Sequence, residues 1–108
     1  MSGRYSVPAT VTVRELCRAA GVPYAIAAGP ECPVRLRDGG LSFSEERPGT
    51  TRPAFYVGVA DMPRDDRAAA LRILWILAVD LDCYEAGESL ARARVVEPLR
   101  NGRYAAVG

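Results

Sequence analysis

The amino-acid sequence predicts a single α+β domain over residues 1–108, in which a mainly antiparallel sheet packs against one long helix. Three observations lead to this prediction. A chain of 108 residues has the length of one domain and can bury a modest core. Short alternating or apolar segments bounded by Gly and Pro are typical of strands. A long helical pattern over residues 62–86 completes the predicted order α-β-β-β-α-β-β.

The first helix is predicted over residues 13–20. Thr12 precedes it and Glu15 follows three positions later, which is the spacing of a capping box. Gly21 comes directly after the helix, where the left-handed conformation that ends many helices favours glycine. Residues 24–28 then have the composition of a short strand.

The middle of the chain predicts a β-hairpin followed by a central strand. Residues 34–37 and 41–44 each alternate between apolar and polar side chains, and residues 38–40 between them have a turn composition. Residues 54–60 are apolar on both faces, which favours a central position in the sheet. The polar loop at residues 45–53 is the best candidate for contacting a ligand, because loops often carry function.

The second helix is predicted to begin at Asp61, as its N-cap, and to end near Gly87. Two strands at residues 94–97 and 103–107 follow, and the Asn-Gly pair at residues 101–102 between them predicts a type I′ turn. The C-terminal part of the chain is therefore expected to form a second hairpin.

The middle of the long helix, residues 73–79, is apolar around its full circumference. A helix on a sheet needs an apolar stripe only about 100° wide, so the opposite face of this helix needs a cover. We expect a second copy of the chain to supply it, through an interface formed by Leu71, Arg72, Trp75 and Val79. The alternative is a lid formed by residues 88–107, whose apolar side chains are Leu90, Val95, Val96, Leu99 and Tyr104.

Composition limits the classes of partner and the location. The formal net charge is +1, so no overall field attracts nucleic acid or an anionic membrane. All 14 basic residues are arginine, which is typical of a GC-rich genome, and we expect a bacterial source. The three cysteines form no CxxC pair, and the N-terminus shows no secretory signal. We therefore expect a cytoplasmic protein with no membrane association.

The sequence contains no histidine, the usual general base and the commonest metal ligand. We therefore expect no catalytic residue, no cofactor and no metal site. One alternative remains in the carboxylates at residues 80–88, namely Asp80, Asp82, Glu85 and Glu88. Such a group is typical either of a metal-dependent or acid–base enzyme, or of a solvated helix face balanced by Arg92 and Arg94.

Residues 11–24 resemble the opening of a helix-turn-helix of the LacI or MerR type, in which a helix ends in Ala-Gly-Val, here at residues 20–22. This resemblance implies a DNA-binding regulator with a degenerate helix-turn-helix over residues 11–28. However, residues 25–30 offer no side chain that can hydrogen bond to a base edge. We therefore expect no sequence-specific binding of DNA.

The order of a helix, three strands and a helix, with residues 77–83 reading Leu-Ala-Val-Asp-Leu-Asp-Cys, resembles the ImmA/IrrE-type metallopeptidase fold. In that family a strand leads into a helix that carries Leu-Ala-His-Glu-x-x-His. Here Val79 and Cys83 stand at the positions of the two histidines, and Asp80 stands at that of the glutamate. The resemblance thus implies a non-catalytic relative, because a catalytic zinc needs three protein ligands.

Taken together, these patterns predict a small, non-enzymatic binding or regulatory module. It would act through protein–protein interaction, as a homodimer or as a subunit of an assembly. The DNA-binding regulator and the carboxylate-dependent or metal-dependent enzyme are the alternatives.

Overall fold

A computed structural model describes residues 9–26, 31–46, 49 and 53–107 of the chain. In these ranges short strands alternate with three α-helices, and a π-helical turn extends the second helix. The elements are β1 (Thr10–Thr12), α1 (Val13–Ala20), β2 (Pro33–Arg37), β3 (Phe43–Glu46), β4 (Pro53–Gly58), α2 (Asp66–Trp75), the π-helical turn (Ile76–Asp80), α3 (Tyr84–Arg92), β5 (Val96–Pro98) and β6 (Tyr104–Ala106). The α+β class is confirmed, but the predicted element order is not: β1 precedes the first helix, and a third helix follows the second.

The described strands form a four-stranded sheet in the order β1-β2-β4-β3 and a separate two-stranded sheet of β5 and β6. β2 and β4 are parallel, with Val34 opposite Phe55 and Leu36 opposite Val57. The other three pairings, of β1 with β2, β3 with β4 and β5 with β6, are antiparallel. The larger sheet is therefore mixed, with β4 in an interior position as predicted.

The predicted hairpin of residues 34–37 with 41–44 is wrong, because β4 lies between β2 and β3. The physical reason is burial. Val34, Phe55 and Val57 are almost completely buried, whereas every residue of β3 is exposed. Pairing β2 with β4 therefore places the strands that carry Val34, Phe55 and Val57 side by side over the core, and β3 is left at the edge.

Both ends of the first helix are confirmed: the capping box begins it and a left-handed glycine ends it. The Thr12 side chain accepts a hydrogen bond from the Glu15 N–H at 3.1 Å, and the Thr12 N–H donates to Glu15 Oε1 at 2.9 Å. Gly21 ends the helix with φ of 72°. These local signals suffice to define α1 because each depends only on residues a few positions apart. Among residues 24–28, the described positions 24–26 form no strand, and the others lie outside the described residues.

The prediction of a single helix over residues 62–86 is wrong, because in this region the structure has two helices, α2 with its π-helical extension and α3. Ten residues of α-helix in α2 continue into five residues of π-helix, and the chain then leaves helical geometry before α3. The N-cap is Asp65, whose carboxylate accepts a hydrogen bond from the Ala68 N–H at 3.0 Å. Asp61, the predicted N-cap, instead has φ of 60° in the turn after β4.

Backbone hydrogen bonds define the break between the two helices. The Leu81 N–H donates to the Ile76 carbonyl at 3.1 Å, and the Cys83 N–H donates to the Leu77 carbonyl at 2.8 Å. Asp82 between them has φ of 53°, in the left-handed region. The chain can thus reverse, and α3 packs beside the π-helical turn. The reversal lets the chain cover part of its own apolar helix, which one continuous helix could not do.

The C-terminal lid is confirmed in part. Leu90, Val96 and Tyr104 are buried in the same core cluster as α1, α2 and the sheet. Val95 is half-buried, and Leu99 is exposed. Residues 88–107 therefore cover one side of the apolar helix, while another side keeps a half-buried surface.

The hairpin of β5 and β6 is confirmed, but its turn differs from the predicted type I′ geometry. In a type I′ turn both central residues have positive φ. Here Gly102 has φ of 81°, whereas Asn101 is not in the left-handed region. The Gly102 N–H donates to the Leu99 carbonyl at 3.1 Å, and the Leu99 N–H donates to the Arg103 carbonyl at 2.8 Å. This is a three-residue loop with a glycine bulge.

Replacing Arg94 with glycine is expected to stabilise the protein by about 1 kcal/mol. Arg94 follows α3 with φ of 61°, and the Val95 N–H donates to the Leu90 carbonyl at 2.9 Å, as in a Schellman motif. A side chain is strained at this position, and glycine is not. Urea unfolding should show a higher midpoint for Arg94→Gly, whereas Arg92→Gly, inside the helix, should lower it. An unchanged midpoint for Arg94→Gly would contradict this account.

Candidate functional site

An apolar groove runs along the side of α2 and its π-helical extension that the lid leaves open. It encloses about 550 Å³. Leu71, Trp75, Ile76 and Val95 are half-buried, so each presents part of its apolar surface to the groove. The full lining consists of Ala68, Leu71, Arg72, Trp75, Ile76, Asp80 and Val95.

Two opposite charges flank this groove. Arg72 and Asp80 are both exposed, and they lie at equal sequence distances on either side of Ile76. The described ion pairs lie elsewhere, between Arg14 and Glu31 and between Arg103 and Asp82. Among the described residues, Arg72 and Asp80 thus keep their charges available for another molecule.

The structure brings together three of the four residues predicted for the interface. Leu71, Arg72 and Trp75 line the groove, but Val79 does not. A π-helical turn contains an additional residue, so Asp80 occupies the position below Trp75 where an α-helix would place Val79. Val79 is half-buried and packs against the core instead.

Sequence reasoning missed four other groove residues, one of which, Asp80, was predicted only as a member of the carboxylate group. Ala68 and Ile76 continue the helical spacing of Leu71 and Trp75, so this spacing could have identified them. Val95 comes from the lid, and no local pattern connects it to α2. Only the tertiary structure shows this wall of the groove.

The four predicted carboxylates have different neighbours. The Tyr24 hydroxyl donates to Glu85 at 2.5 Å, and the Tyr104 hydroxyl donates to Glu88 at 2.5 Å. Asp82 forms an ion pair with Arg103, rather than with Arg92 or Arg94, at an N–O distance of 3.2 Å. Asp80 borders the groove. Within the described ranges, no group of three or more His, Cys, Asp or Glu residues is placed to hold a metal ion.

These hydrogen bonds change the titration of two tyrosines. Burial and the hydrogen bond to Glu85 raise the pKa of the Tyr24 hydroxyl above its usual range. Burial and the hydrogen bond to Glu88 likewise raise the pKa of the Tyr104 hydroxyl. Both side chains thus connect α3 to other parts of the fold in their protonated forms.

Stability is expected to fall as the pH rises above about 10, the ordinary pKa of tyrosine. Above this pH the unfolded chain releases the protons of Tyr24 and Tyr104, whereas the folded chain retains them, so alkali favours unfolding. The measurement is urea unfolding between pH 8 and pH 11. The double variant Tyr24→Phe/Tyr104→Phe should be less stable at pH 8 and lose less stability in alkali. Equal losses in both proteins would contradict the assignment.

The segment resembling a helix-turn-helix does not present a second helix where the structure describes it. Residues 22–26 are not helical, and residues 27–28 lie outside the described ranges. Arg14 on α1 packs over the Tyr24 ring, with 4.8 Å from its guanidinium carbon to the ring centroid. It also pairs with Glu31 at 3.4 Å. These contacts give Arg14 a structural role inside the fold.

The residues that carry the metallopeptidase resemblance are separated by the break after the π-helical turn. Val79 and Asp80 belong to that turn, whereas Cys83 is the buried N-cap of α3. The His-x-x-x-His spacing places two ligands on one face of one continuous helix. Here residues 81–83 interrupt the helix, so Val79 and Cys83 do not share such a face.

A second cleft lies where the parallel strands β2 and β4 end at their carboxyl sides, and it encloses about 580 Å³. Open sheets with parallel strands often bind ligands in this position. Asp38, Asp61 and Arg64 contribute the charged part of its lining, and Asp61 has left-handed φ. No residue of this cleft was predicted from the sequence to bind a ligand; Asp61 was expected only as a helix N-cap. In the loop at residues 45–53, residues 47–48 and 50–52 lie outside the described part of the chain.

Comparison with known proteins gives no match. No family model matches this chain. No curated protein and no solved structure matches it significantly either. Within the described residues, no helix is both long enough and apolar enough to cross a membrane.

Proposed function

We propose that this protein is a non-enzymatic binding module that forms a homodimer through the groove on α2. The observation that carries the proposal is the arrangement of the groove, in which half-buried apolar side chains lie between Arg72 and Asp80. We further propose that the dimer is a cytoplasmic regulatory or assembly subunit, as the composition and the cysteine pattern indicate.

The spacing of the two charges fits a two-fold axis. Arg72 and Asp80 each lie four residues, or about one helical turn, from Ile76, on opposite sides of it along the helix. If two copies of α2 pack antiparallel across an axis at Ile76, Arg72 of each copy lies beside Asp80 of the other. The same surface is then complementary to itself, as a two-fold interface requires.

Apolar burial would supply most of the affinity. Complete burial of a Leu, Ile or Trp side chain contributes about 1.5–3 kcal/mol relative to exposure. The groove residues are already half-buried, so association would add only the remaining part of this free energy for each. The two ion pairs at the rim would add little affinity but would fix the orientation of the helices. Trp75 is the expected centre of the interface, because aromatic anchors dominate such energetics.

Sedimentation equilibrium at micromolar concentration tests this proposal. The wild type should have twice the mass of the chain, and Trp75→Glu should weaken association on the order of 30-fold or more. The control is Leu41→Glu, since Leu41 is 82% exposed and does not line the groove. It should remain dimeric. Circular dichroism must show that both variants are folded, and a monomeric wild type would refute the homodimer.

Charge reversal gives a sharper test, because it can restore association as well as remove it. Arg72→Asp alone or Asp80→Arg alone would place like charges together twice in a dimer, and either should weaken association about tenfold or more. Mixing the two single variants should restore a dimer of one chain of each kind. The double variant Arg72→Asp/Asp80→Arg should dimerise by itself. If neither combination recovers association, the proposed orientation is wrong.

The hydrogen-bond and ion-pair partners of the carboxylates at residues 80–88 favour a binding module over a carboxylate-dependent enzyme. Glu85 and Glu88 accept hydrogen bonds from tyrosines, and Asp82 pairs with an arginine. These contacts give three of the four carboxylates a role in holding α3, or the turn before it, to the rest of the chain.

A further inference from the structure

The four-stranded sheet buries one face against the helices and leaves side chains of its other face exposed. On the buried face, Val34, Phe55 and Val57 belong to the same core cluster as α1, α2 and α3. Successive side chains of a strand point to opposite faces, so Arg35 and Tyr56 point away from this core. We call the face to which they point the outer face of the sheet.

A row of four side chains crosses the outer face from one edge of the sheet to the other. It consists of Thr10 on β1, Arg35 on β2, Tyr56 on β4 and Phe43 on β3, each opposite the next in the strand register. Tyr56 is half-buried, and the other three residues are exposed. Adjacent strands lie about 4.8 Å apart, so the row is about 14 Å long.

The two aromatic side chains of this row stack on each other. The centroids of the Phe43 and Tyr56 rings lie 4.6 Å apart, with 13° between the ring planes. This distance matches the spacing of neighbouring strands, so both rings stand upright on the sheet and the stack runs along the row. Another flat group can therefore extend the stack at either end, beside Tyr56 towards Arg35 or beyond Phe43 at the edge of the sheet.

Two exposed arginines make the outer face positive beside this stack. Arg35 lies in the row itself, and the Arg37 guanidinium carbon lies 5.2 Å from the centroid of the Phe43 ring. The ion pairs of the described residues involve neither of these arginines. The carboxylate of Glu45 shares the outer face, but Glu45 lies opposite Ala54, on the side of the row away from Arg37.

We propose that the outer face of the sheet binds single-stranded RNA without sequence preference. Unpaired bases stack on aromatic rings, and guanidinium groups attract the phosphates between them. The row brings both kinds of group within the length of roughly two or three nucleotides. The exposed Thr10 at its end offers a hydroxyl to a ribose 2′-hydroxyl, which DNA lacks.

The stacked rings favour RNA over other anionic partners. An acidic peptide or an anionic membrane would satisfy the two arginines, but their carboxylates and headgroups carry no bases to stack. The attraction is local, because the formal net charge of the chain is only +1. The outer face also lies across the sheet from α2 and its groove, so this proposal and the homodimer can fail separately.

Fluorescence anisotropy of a labelled RNA octanucleotide of alternating adenosine and cytidine tests the proposal. The wild type should bind with a Kd of about 1–100 µM. Phe43→Ala should weaken binding about tenfold, and so should Tyr56→Leu, which keeps an apolar side chain but removes the flat ring. Leu41→Ala is the control, because Leu41 is 82% exposed and lies outside the row. Its Kd should equal that of the wild type.

Salt dependence tests the role of the arginines. Two phosphate contacts predict a slope of about −1.4 when the logarithm of the binding constant is plotted against that of the salt concentration. Arg35→Gln should weaken binding about threefold and reduce the slope by about 0.7. Arg18→Gln removes the same charge from α1, on the helical side of the sheet, and should change neither value. Glu45→Gln should strengthen binding, because it removes a negative charge from the outer face.

Competition separates RNA from other anions. Unlabelled RNA of the same sequence should displace the probe, and the DNA octanucleotide, an RNA duplex, polyglutamate and phosphatidylglycerol vesicles should displace it much less. Equal displacement by any of these would overturn the proposal, as would the absence of binding by the wild type. Circular dichroism must show that each variant is folded, and the wild-type measurements decide the outcome if an aromatic variant is not. Trp75→Glu should bind RNA as the wild type does, whether or not it dimerises.

Discussion

Replacing Gly58 with alanine is expected to destabilise the fold by about 3 kcal/mol, one of the largest effects of any single substitution proposed. A Cβ atom at this position would lie 2.6 Å from the Gly39 carbonyl oxygen and 2.8 Å from both the Gly40 carbonyl carbon and the Leu41 nitrogen. All three atoms belong to the backbone, so no side chain can rotate away to relieve the contact.

The backbone around Gly58 is also held in place by hydrogen bonds. The Gly58 N–H donates to the Ser42 hydroxyl at 2.9 Å, and the Ala60 N–H donates to the Gly39 carbonyl at 2.9 Å. Moving the loop away from a new methyl group would break these contacts. Urea unfolding at a fixed protein concentration measures the cost. Gly40→Ala is the matched control, because nothing lies within 4 Å of its Cβ position. Similar stabilities for the two variants would contradict the steric explanation.

Leu74→Ala is expected to have the second large effect, a loss of about 2–5 kcal/mol in the free energy of unfolding. Leu74 is completely buried in the core cluster that α2 shares with the sheet and the other helices, so its removal leaves a cavity there. Leu71, one helical turn earlier, is half-buried and lines the groove. Leu71→Ala should therefore cost less stability but weaken dimerisation more.

The two leucine variants separate folding from assembly. Both need to be measured at several protein concentrations, because the apparent stability of a dimer depends on concentration. The Leu74→Ala loss should persist at the lowest concentration. The Leu71→Ala loss should shrink as the wild type itself dissociates. The opposite pattern would show that the groove is part of the core rather than an interface.

The elements that sequence predicted correctly are those defined by neighbouring residues. Thr12, Glu15 and Gly21 define α1 because a capping box and a left-handed C-cap are local. The pairing of β2 with β4 depends on burial across the sheet, which alternation along one strand cannot show. The break after Asp80 contains neither glycine nor proline, the usual signals, so periodicity alone predicted an uninterrupted helix.

The candidate site was predictable only where it depends on residues that are neighbours along α2. An apolar segment around the whole helix indicated that Leu71 and Trp75 needed a cover, and these residues do line the groove. The C-terminal segment supplies only part of this cover. Val95 and Asp80 were not predicted to line the groove, because one comes from the lid and the other depends on the π-helical turn.

The π-helical turn at Ile76–Asp80 is equivalent to a single-residue insertion in an α-helix, since it accommodates one residue more than the turn it replaces. A homologous chain with an uninterrupted α-helix would be one residue shorter in this region, and an alignment of the two would require a gap there. Deleting one of these five residues would remove the extra residue, so the turn could close as an ordinary α-helix with Asp80 still one turn below Trp75. The additional residue therefore gives Asp80 the place at the end of the groove that an uninterrupted helix of the same sequence would give to Val79.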